Sequence, residues 1–139
     1  MFDFRKSNGI KIYLTEEQEK QLSDKETIEK ALRDESVVAF DIHNAGELIG
    51  FAMLKDCGEG FFLWDYAIDV KHQNKDYGSK ALNELIEFLK SEHNISWITT
   101  TYKFGNEHAR RLYEKLGFVE TDIVKTESIH EVNMILKLR

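Results

Sequence analysis

Apolar residues recur along this chain at two spacings, and the change from one to the other marks out its elements. Residues 61–70, FFLWDYAIDV, are rich in aromatic and branched side chains, as a buried strand is. Beyond them the spacing becomes helical: Leu82, Leu85, Ile86 and Leu89 fall at i, i+3, i+4 and i+7, so a helix starts near Gly78. The same succession returns downstream. Residues 95–101, ISWITTT, predict a strand, and residues 106–118 carry a helical stripe of Ala109, Leu112, Tyr113 and Leu116. Asn106 is a suitable N-cap for that helix and Gly117 a suitable left-handed C-cap. Residues 36–56 have branched and aromatic side chains on both sides of Asn44-Ala45-Gly46 and predict a β-hairpin, with a second turn from Asp56 to Gly60. The tail predicts two strands joined around Thr126 to His130. Residues 16–33 predict helix in two pieces broken near Ser23, with Ser23 capping the second piece and Glu26 completing a capping box. Residues 2–14, FDFRKSNGIKIYL, are ambiguous, and a hairpin turning at Asn8-Gly9 is one reading of them. The predicted order is ββ, helices, βββ, α, β, α, ββ. It describes a mixed α/β fold, a central mixed β-sheet flanked by helices, in a single domain over residues 1–139.

The junction between the strand and the helix at Gly78 carries chemistry of its own. Residues 72–82, HQNKDYGSKAL, run from strand exit through a polar turn to a glycine and an amphipathic helix. The first amide N–H groups of a helix have no partner within it, and the macrodipole makes that end partly positive. A phosphate placed there is held by backbone alone, and Gly78 allows it to approach closely.

Two stretches in this order, each preceded by a strand and about 28 residues apart from Gly78 to Asn106, carry a family resemblance. Gln73-Asn74-Lys75-Asp76-Tyr77-Gly78 resembles (Q/R)xxGx(G/A), the first motif of the acetyl-CoA-dependent N-acetyltransferase superfamily known as GNAT. The second motif, NxxAxxLYxxxGF, is met by Asn106, Ala109, Leu112, Tyr113, Gly117 and Phe118. The departure is Asp76, where the family usually has Gly with its amide facing a pyrophosphate. An acidic side chain there repels a diphosphate unless it turns outward. The resemblance covers roughly residues 37–138. A weaker likeness joins residues 13–22, YLTEEQEKQL, and LWDYAID at residues 63–69 to the branch that acetylates spermine and spermidine, although Glu16 stands where that branch has Pro and Asp65 where it often has Arg.

The resemblance implies an N-acetyltransferase with acetyl-CoA as cosubstrate, no metal, and a small-molecule primary amine, such as a polyamine, as acceptor. It implies that Tyr66 and Ile68 pair by backbone with the pantetheine arm, that Gln73, Asn74, Lys75, Asp76, Tyr77, Gly78 and Ser79 take the pyrophosphate, and that Asn106 also belongs to the cofactor site. Tyr113 matches the tyrosine that is the family's general acid. Read from the helical stripe alone, Tyr113 is equally a core aromatic. Lys75, Lys80 and Arg111 are the cations available to a 3′-phosphate. Relatives usually have one strand and then a helix at the N-terminus, and a homodimer is their usual arrangement.

Composition agrees with a small soluble enzyme. There are 139 residues, 42% hydrophobic and 12% aromatic, enough for one core. Proline is absent, and no repeat, linker or low-complexity run interrupts the chain. No run of 18 apolar residues and no apolar leader segment occurs, so neither membrane partner nor secretion is expected and the expectation is a cytoplasmic protein. The single Cys57 forms no internal disulfide and sits in a turn-like KDCGEG, where an exposed thiol is expected. A net charge of −6 argues against a nucleic-acid partner and suits a cationic acceptor. His43, His72, His93, His108 and His130 show no metal-ligand spacing. Trp64 and Trp97 on predicted strands are expected to fill core, with a wall of the acceptor site as the alternative.

Amide formation sets the remaining demands. An alkylamine of pKa about 10.4 is neutral in only about one molecule in 2,500 at pH 7, so presenting the free base costs roughly 4.6 kcal/mol unless the site removes the proton. The leaving thiolate needs a donor, for which a phenol O–H is well suited. For the base the sequence leaves several groups open: Asp65, Tyr66, Glu16, Glu17 and Glu19. Glu17, Glu19 and Asp65 are equally candidates for holding the amine. Three functional readings follow: the acetyltransferase, acting on a small amine or on a protein amine; a CoA-binding module without activity; and an unrelated nucleotide binder, for which neither GxGxxG nor a P-loop is present.

Overall fold

The computed structural model describes residues 1–138. Its frame is a seven-stranded sheet in the order β1-β2-β3-β4-β5-β7-β6. The strands are β1 (Phe2–Lys6), β2 (Val37–Asn44), β3 (Glu47–Asp56), β4 (Gly60–Ile68), β5 (Trp97–Lys103), β6 (Val119–Lys125) and β7 (His130–Lys137), with helices α1 (Glu16–Gln21), α2 (Lys25–Ala31), α3 (Tyr77–Glu92) and α4 (Glu107–Lys115). The mixed α/β reading therefore holds.

Strand alternation assigns the two faces of the core. On β3, Ala52 and Leu54 point to one face with Leu82, Leu85 and Leu89 of α3, while Phe51 and Met53 point to the other with Ile28 and Ala31 of α2. Being covered on both sides, β3 is apolar from Ile49 to Leu54 without the alternation of a half-exposed strand. Strand β6, at the sheet edge, is exposed throughout.

Only β4 and β5 run parallel, and they pair over a short stretch, Gly60 to Leu63 with Trp97 to Thr100. At that closed end the strands lie so near that a Cβ on Gly60 would stand 2.2 Å from the Trp97 ring. Thr100 Oγ1 donates to the Leu63 carbonyl at 3.0 Å and closes the ladder. Trp64 is an extra residue on β4, since Met53 faces Asp65 and Leu54 faces Leu63. Such a bulge bends its strand. Beyond it Trp64 to Ile68 and Thr101 to Lys103 have no pairing to each other, and the sheet opens between them.

Two expectations need correction. The N-terminus is no hairpin: β1 pairs with β2, and residues 10–14 then cross the sheet face instead of returning along β1. Lys11 Nζ binds Asp41 of β2 at 2.8 Å, and the Tyr13 N–H binds Asp69, just past β4, at 2.9 Å. Those long-range partners, with burial of Ile12, outweigh the local turn tendency of Asn8-Gly9. Second, Asp24 caps α2, its Oδ1 accepting from the Thr27 N–H at 2.8 Å, and Ser23 does not. The capping box lies instead at Thr15 and Gln18, at the start of α1. The hairpin of β2 and β3, the β6–β7 turn and the Gly117 stop, at φ +100, lie where the residue pattern predicts them.

Candidate active site

The opening between β4 and β5 becomes a groove because α3 starts at one side of it and α4 at the other. Past Ile68 the chain makes a short 3-10 turn (Val70–His72) and a loop in which Asn74 and Asp76 take left-handed φ of 63° and 61°. Asn and Asp tolerate that region, and left-handed residues in a polar loop turn neighbouring N–H groups toward one side. No side chain caps the N-terminus of α3. Its first amides are thus available, as an anion cradle requires. Gly78 leaves them room: a Cβ there would stand 3.9 Å from both Ile68 Cγ1 and Leu112 Cδ1, inside the groove those residues line.

Asp76 does not face the cradle uncompensated. Its Oδ1 accepts from Ser79 Oγ at 2.5 Å and from Lys115 Nζ at 2.9 Å, and Lys115 also reaches Ser79 Oγ at 3.2 Å. These bonds, the Ser79 hydroxyl first and then Lys115, hold the carboxyl below the usual carboxylate range. The departure from glycine is therefore accommodated twice, by a residue type that accepts left-handed φ and by a counter-ion from α4. His108, Arg111 and Lys115 all line this outer part of the groove. Replacing Asp76 with Gly is expected to leave CoA affinity unchanged or raise it, since glycine accepts φ 61° and Lys115 is released toward phosphate. Lys115→Met is expected to weaken CoA by about tenfold or more, the value of one charged hydrogen bond. Calorimetric titration with CoA measures both.

At the inner end stand two tyrosines. Tyr66 of β4 donates to the Gly78 carbonyl at 2.6 Å and so ties the strand to the first turn of α3. Burial, with Tyr113 nearby, raises its pKa well above the phenol value. Tyr113 of α4 is 7% exposed and packs on Phe118, ring centroids 5.5 Å apart. Its hydroxyl is pushed up to about 12, by burial first and by the charge of Asp65 in addition, with the Thr100 side chain opposing. At physiological pH it is a phenol, with a proton to share.

Helix α1 crosses the mouth. Gln18 Nε2 donates to the Ile68 carbonyl at 2.9 Å, a carbonyl that Gln73 Nε2 also reaches at 3.1 Å. Gln21 Oε1 accepts from the Lys103 N–H at 3.2 Å and from Asn106 Nδ2 at 2.9 Å. The Asn106 Oδ1 meanwhile caps α4 through the Ala109 N–H at 3.1 Å, as its position predicts. The strap joins both sides of the open sheet.

Of the residues singled out from sequence, Tyr66, Ile68, Gln73, Asn74, Gly78, Asn106, Tyr113 and Glu17 line the inner groove, and Asp76, Tyr77 and Ser79 the outer part. Lys75 is exposed and lines neither. Glu19 lines a separate cleft beside residues 8–14 and α2. Asp65 is buried behind the inner end, bonded to the Ser23 N–H at 3.0 Å. Trp64 packs with the α2-side core and Trp97 against Gly60, and neither lines the groove. Cys57 is exposed. Among the described residues, no three metal-ligating side chains cluster. Sequence reading passed over Gln18, Gln21, His108 and Lys115. The spacing of His108, Arg111 and Lys115, at i, i+3 and i+7 on one helix face, was the available signal for two of them.

Comparison with known proteins decides the family. The model of the acetyltransferase (GNAT) family matches residues 5–118. The chain belongs to the GNAT family. The GNAT chain is 33% identical over 85 residues to the spermine/spermidine N(1)-acetyltransferase of Bacillus subtilis (strain 168), covering 55% of this chain and 56% of that protein. It is 31% identical over 68 residues to the uncharacterized N-acetyltransferase YycN of the same strain, covering 49% and 43% respectively. It thus spans about half the length of the curated relatives it matches. Among solved structures, its GNAT fold is shared with spermidine N-acetyltransferase from Vibrio cholerae in complex with CoA and spermine, at a TM-score of 0.67, 21% identity and coverage of 81% of this chain and 72% of that one. It is shared equally with aminoglycoside acetyltransferase AAC(6')-Ib in complex with coenzyme A, at a TM-score of 0.67, 24% identity and coverage of 78% and 70%.

Proposed function

We propose that this protein transfers the acetyl group of acetyl-CoA to the primary amine of a small molecule, with a polyamine such as spermidine or spermine as the acceptor class. The observation that carries the reading is the groove itself: an uncapped helix N-terminus flanked by Arg111, Lys115 and His108 at one end, and the buried Tyr113 phenol at the other. The residues fit acetyl-CoA. The α3 amides suit its diphosphate, and the unpaired edge of β4 at Tyr66 and Ile68 suits the amide groups of the pantetheine arm, which would exchange with the Gln18 and Gln73 side chains now on the Ile68 carbonyl.

Tyr113 serves as general acid. Its O–H stabilises the thiolate that leaves when the C–S bond breaks, at a place where burial makes each hydrogen bond count for more than in water. Early outright proton donation is disfavoured. From a phenol at about 12 to a thiol of ordinary pKa near 8.5, transfer runs uphill by roughly 5 kcal/mol, so hydrogen bonding comes first and the proton follows.

Acceptor choice rests on charge. Glu17 stands at the inner mouth, in a protein of net charge −6, and both features attract a polycation. The relatives named for spermine and spermidine support the same class. A thiol-release assay with acetyl-CoA and a panel of spermidine, spermine, an aminoglycoside and a peptide with a free α-amino group is expected to give the highest kcat/KM with the polyamines. CoA binding with no turnover on any amine would instead establish a binding module, and preference for the peptide would move the acceptor to proteins.

A further inference from the structure

The groove is shut at the Ile68 carbonyl. The Asp69 N–H bonds the Ile49 carbonyl at 2.8 Å, and bonded pairs alternate along an antiparallel ladder. Ile68, opposite Gly50, therefore turns its own carbonyl away from β3 and into the opening, beyond Leu63, the last β4 residue paired with β5. Two side chains take it there. Gln73 Nε2 donates at 3.1 Å from the loop five residues on, and Gln18 Nε2 donates at 2.9 Å from α1, 50 positions away. A carbonyl oxygen has two lone pairs, and both are thereby engaged. A further donor binds only by displacing one of the two.

Gln18 differs from Gln73 in what it closes. Helix α1 is six residues long, buries none of them and lies over the groove, which Glu17, Gln18 and Gln21 line. On the β5 side it is held several times over: Gln21 Oε1 accepts from the Lys103 N–H and from Asn106 Nδ2, and Lys103 Nζ donates to the Lys20 carbonyl. Ahead of the helix, Asp69 holds the Tyr13 N–H. From α1 to β4 itself the described residues make one hydrogen bond, that of Gln18. With no apolar burial behind it, this is the side that opens most easily. The same side chain also caps its helix. Its Oε1 accepts from the Thr15 N–H at 2.9 Å, while Thr15 Oγ1 accepts from the Gln18 N–H at 3.2 Å. The oxygen of the Gln18 amide thus serves the helix and the nitrogen serves the groove, so the two roles can be separated.

We propose that Gln18 is a latch on the cofactor groove: its Nε2 closes α1 onto the Ile68 carbonyl in the ligand-free protein and yields that carbonyl to an amide N–H of the pantetheine arm of acetyl-CoA. This rests on the acetyl-transfer reading and deepens it, by naming a residue that sets cofactor affinity through competition. The bond broken and the bond made are of one kind, an amide N–H on a carbonyl, so the exchange is nearly balanced. What the latch takes from binding is the worth of one neutral hydrogen bond.

The test compares Gln18→Glu, Gln18→Ala and Gln21→Glu in the full chain, by calorimetric titration with CoA and with adenosine 3′,5′-bisphosphate, which lacks the pantetheine arm. Glu at position 18 keeps the capping box, where Glu is a usual partner, but has no N–H for Ile68. Glu at position 21 still accepts from Lys103 and Asn106 and so keeps the strap closed. Both substitutions add one negative charge to α1, so the pair cancels the electrostatic effect on the phosphates. Gln18→Glu is expected to bind CoA roughly 3-fold to 10-fold more tightly than Gln21→Glu, the value of one neutral hydrogen bond, and Gln18→Ala to exceed the wild type by a similar factor. Affinity for the bisphosphate should be equal in Gln18→Glu and Gln21→Glu, and equal in Gln18→Ala and the wild type. A side chain that only supports the fold predicts the reverse, a lower Tm and weaker CoA in Gln18→Ala. That result overturns the latch, as does CoA affinity in Gln18→Glu no higher than in Gln21→Glu. Equal gains for CoA and the bisphosphate overturn it too, because the effect would then lie at the phosphates. If Gln18→Ala does not fold, the two Glu variants carry the comparison alone. Absence of CoA binding in the wild type would overturn the acetyl-transfer reading itself, whereas a wild type that binds CoA as tightly as the Gln18 variants overturns only the latch.

Discussion

Tyr113→Phe is expected to lower the single-turnover rate of acetyl transfer by roughly 10²-fold to 10³-fold while leaving CoA affinity nearly unchanged. The ring that packs on Phe118 remains, so the helix stays where it is. What goes is a buried O–H at the inner end of the groove. The alternative, a tyrosine that only fills core, predicts a different pattern: little change in rate and a stability loss of about 1 kcal/mol for one hydrogen bond. Single-turnover measurement matters because slow product release at saturation would hide a chemical defect. The raised pKa adds a second check. Because the phenol sits at about 12, it stays protonated to the top of the usual range, so the wild-type rate should show no loss from this group between pH 7 and pH 10. A Phe variant that transfers acetyl at the wild-type rate would remove the general-acid assignment.

Gly78→Val is expected to weaken CoA by roughly 10²-fold, through loss of charged hydrogen bonds to the α3 amides, with little change in Tm. The separation follows from geometry. A Cβ at this position meets Ile68 and Leu112 at 3.9 Å, ordinary contact, so the fold has no need of glycine here. The same Cβ stands in the groove that both residues line, where the proposed cradle brings backbone to phosphate. Contrast Gly60, whose Cβ would collide with Trp97; substitution there should damage folding and binding together. Calorimetry with CoA and thermal melts on both variants distinguish a glycine kept for a ligand from one kept for packing. Wild-type affinity in Gly78→Val would mean that the cradle lies elsewhere.

Much of this site is legible along the chain because much of it is local. The proposed cradle is a strand end, a polar loop and a helix start, all within residues 68–79. Asn106 caps its helix through Ala109, three residues on, and Gly117 ends it. Such features depend on φ preference and on i to i+3 or i+4 spacing, which a sequence displays directly. Where two adjacent residues suit the same task, the local signal fails. Ser23 and Asp24 are both capping types, and the choice went to Asp24 while the Ser23 N–H is taken by Asp65, 42 residues away.

Sequence by itself determined the mixed sheet and its helices, the GNAT motifs, the polar turn into the α3 start at Gly78 and the helix that carries Tyr113, since these are set by periodicity, capping and backbone conformation within a few residues. Tertiary structure alone decided the rest. The strap of α1 over the groove depends on Gln18 reaching Ile68 across 50 positions and Gln21 reaching Asn106 across 85. The neutralisation of Asp76 depends on Lys115, 39 positions on. Glu17 and Glu19 look alike in sequence, yet one enters the groove and the other a separate cleft. Alternation along β4 tells which face Asp65 takes but not what covers that face, and it is the covering, apolar and short of donors, that leaves the carboxyl half-paired. Burial and charge compensation are properties of packed neighbours brought together from distant parts of the chain, and no local pattern encodes them.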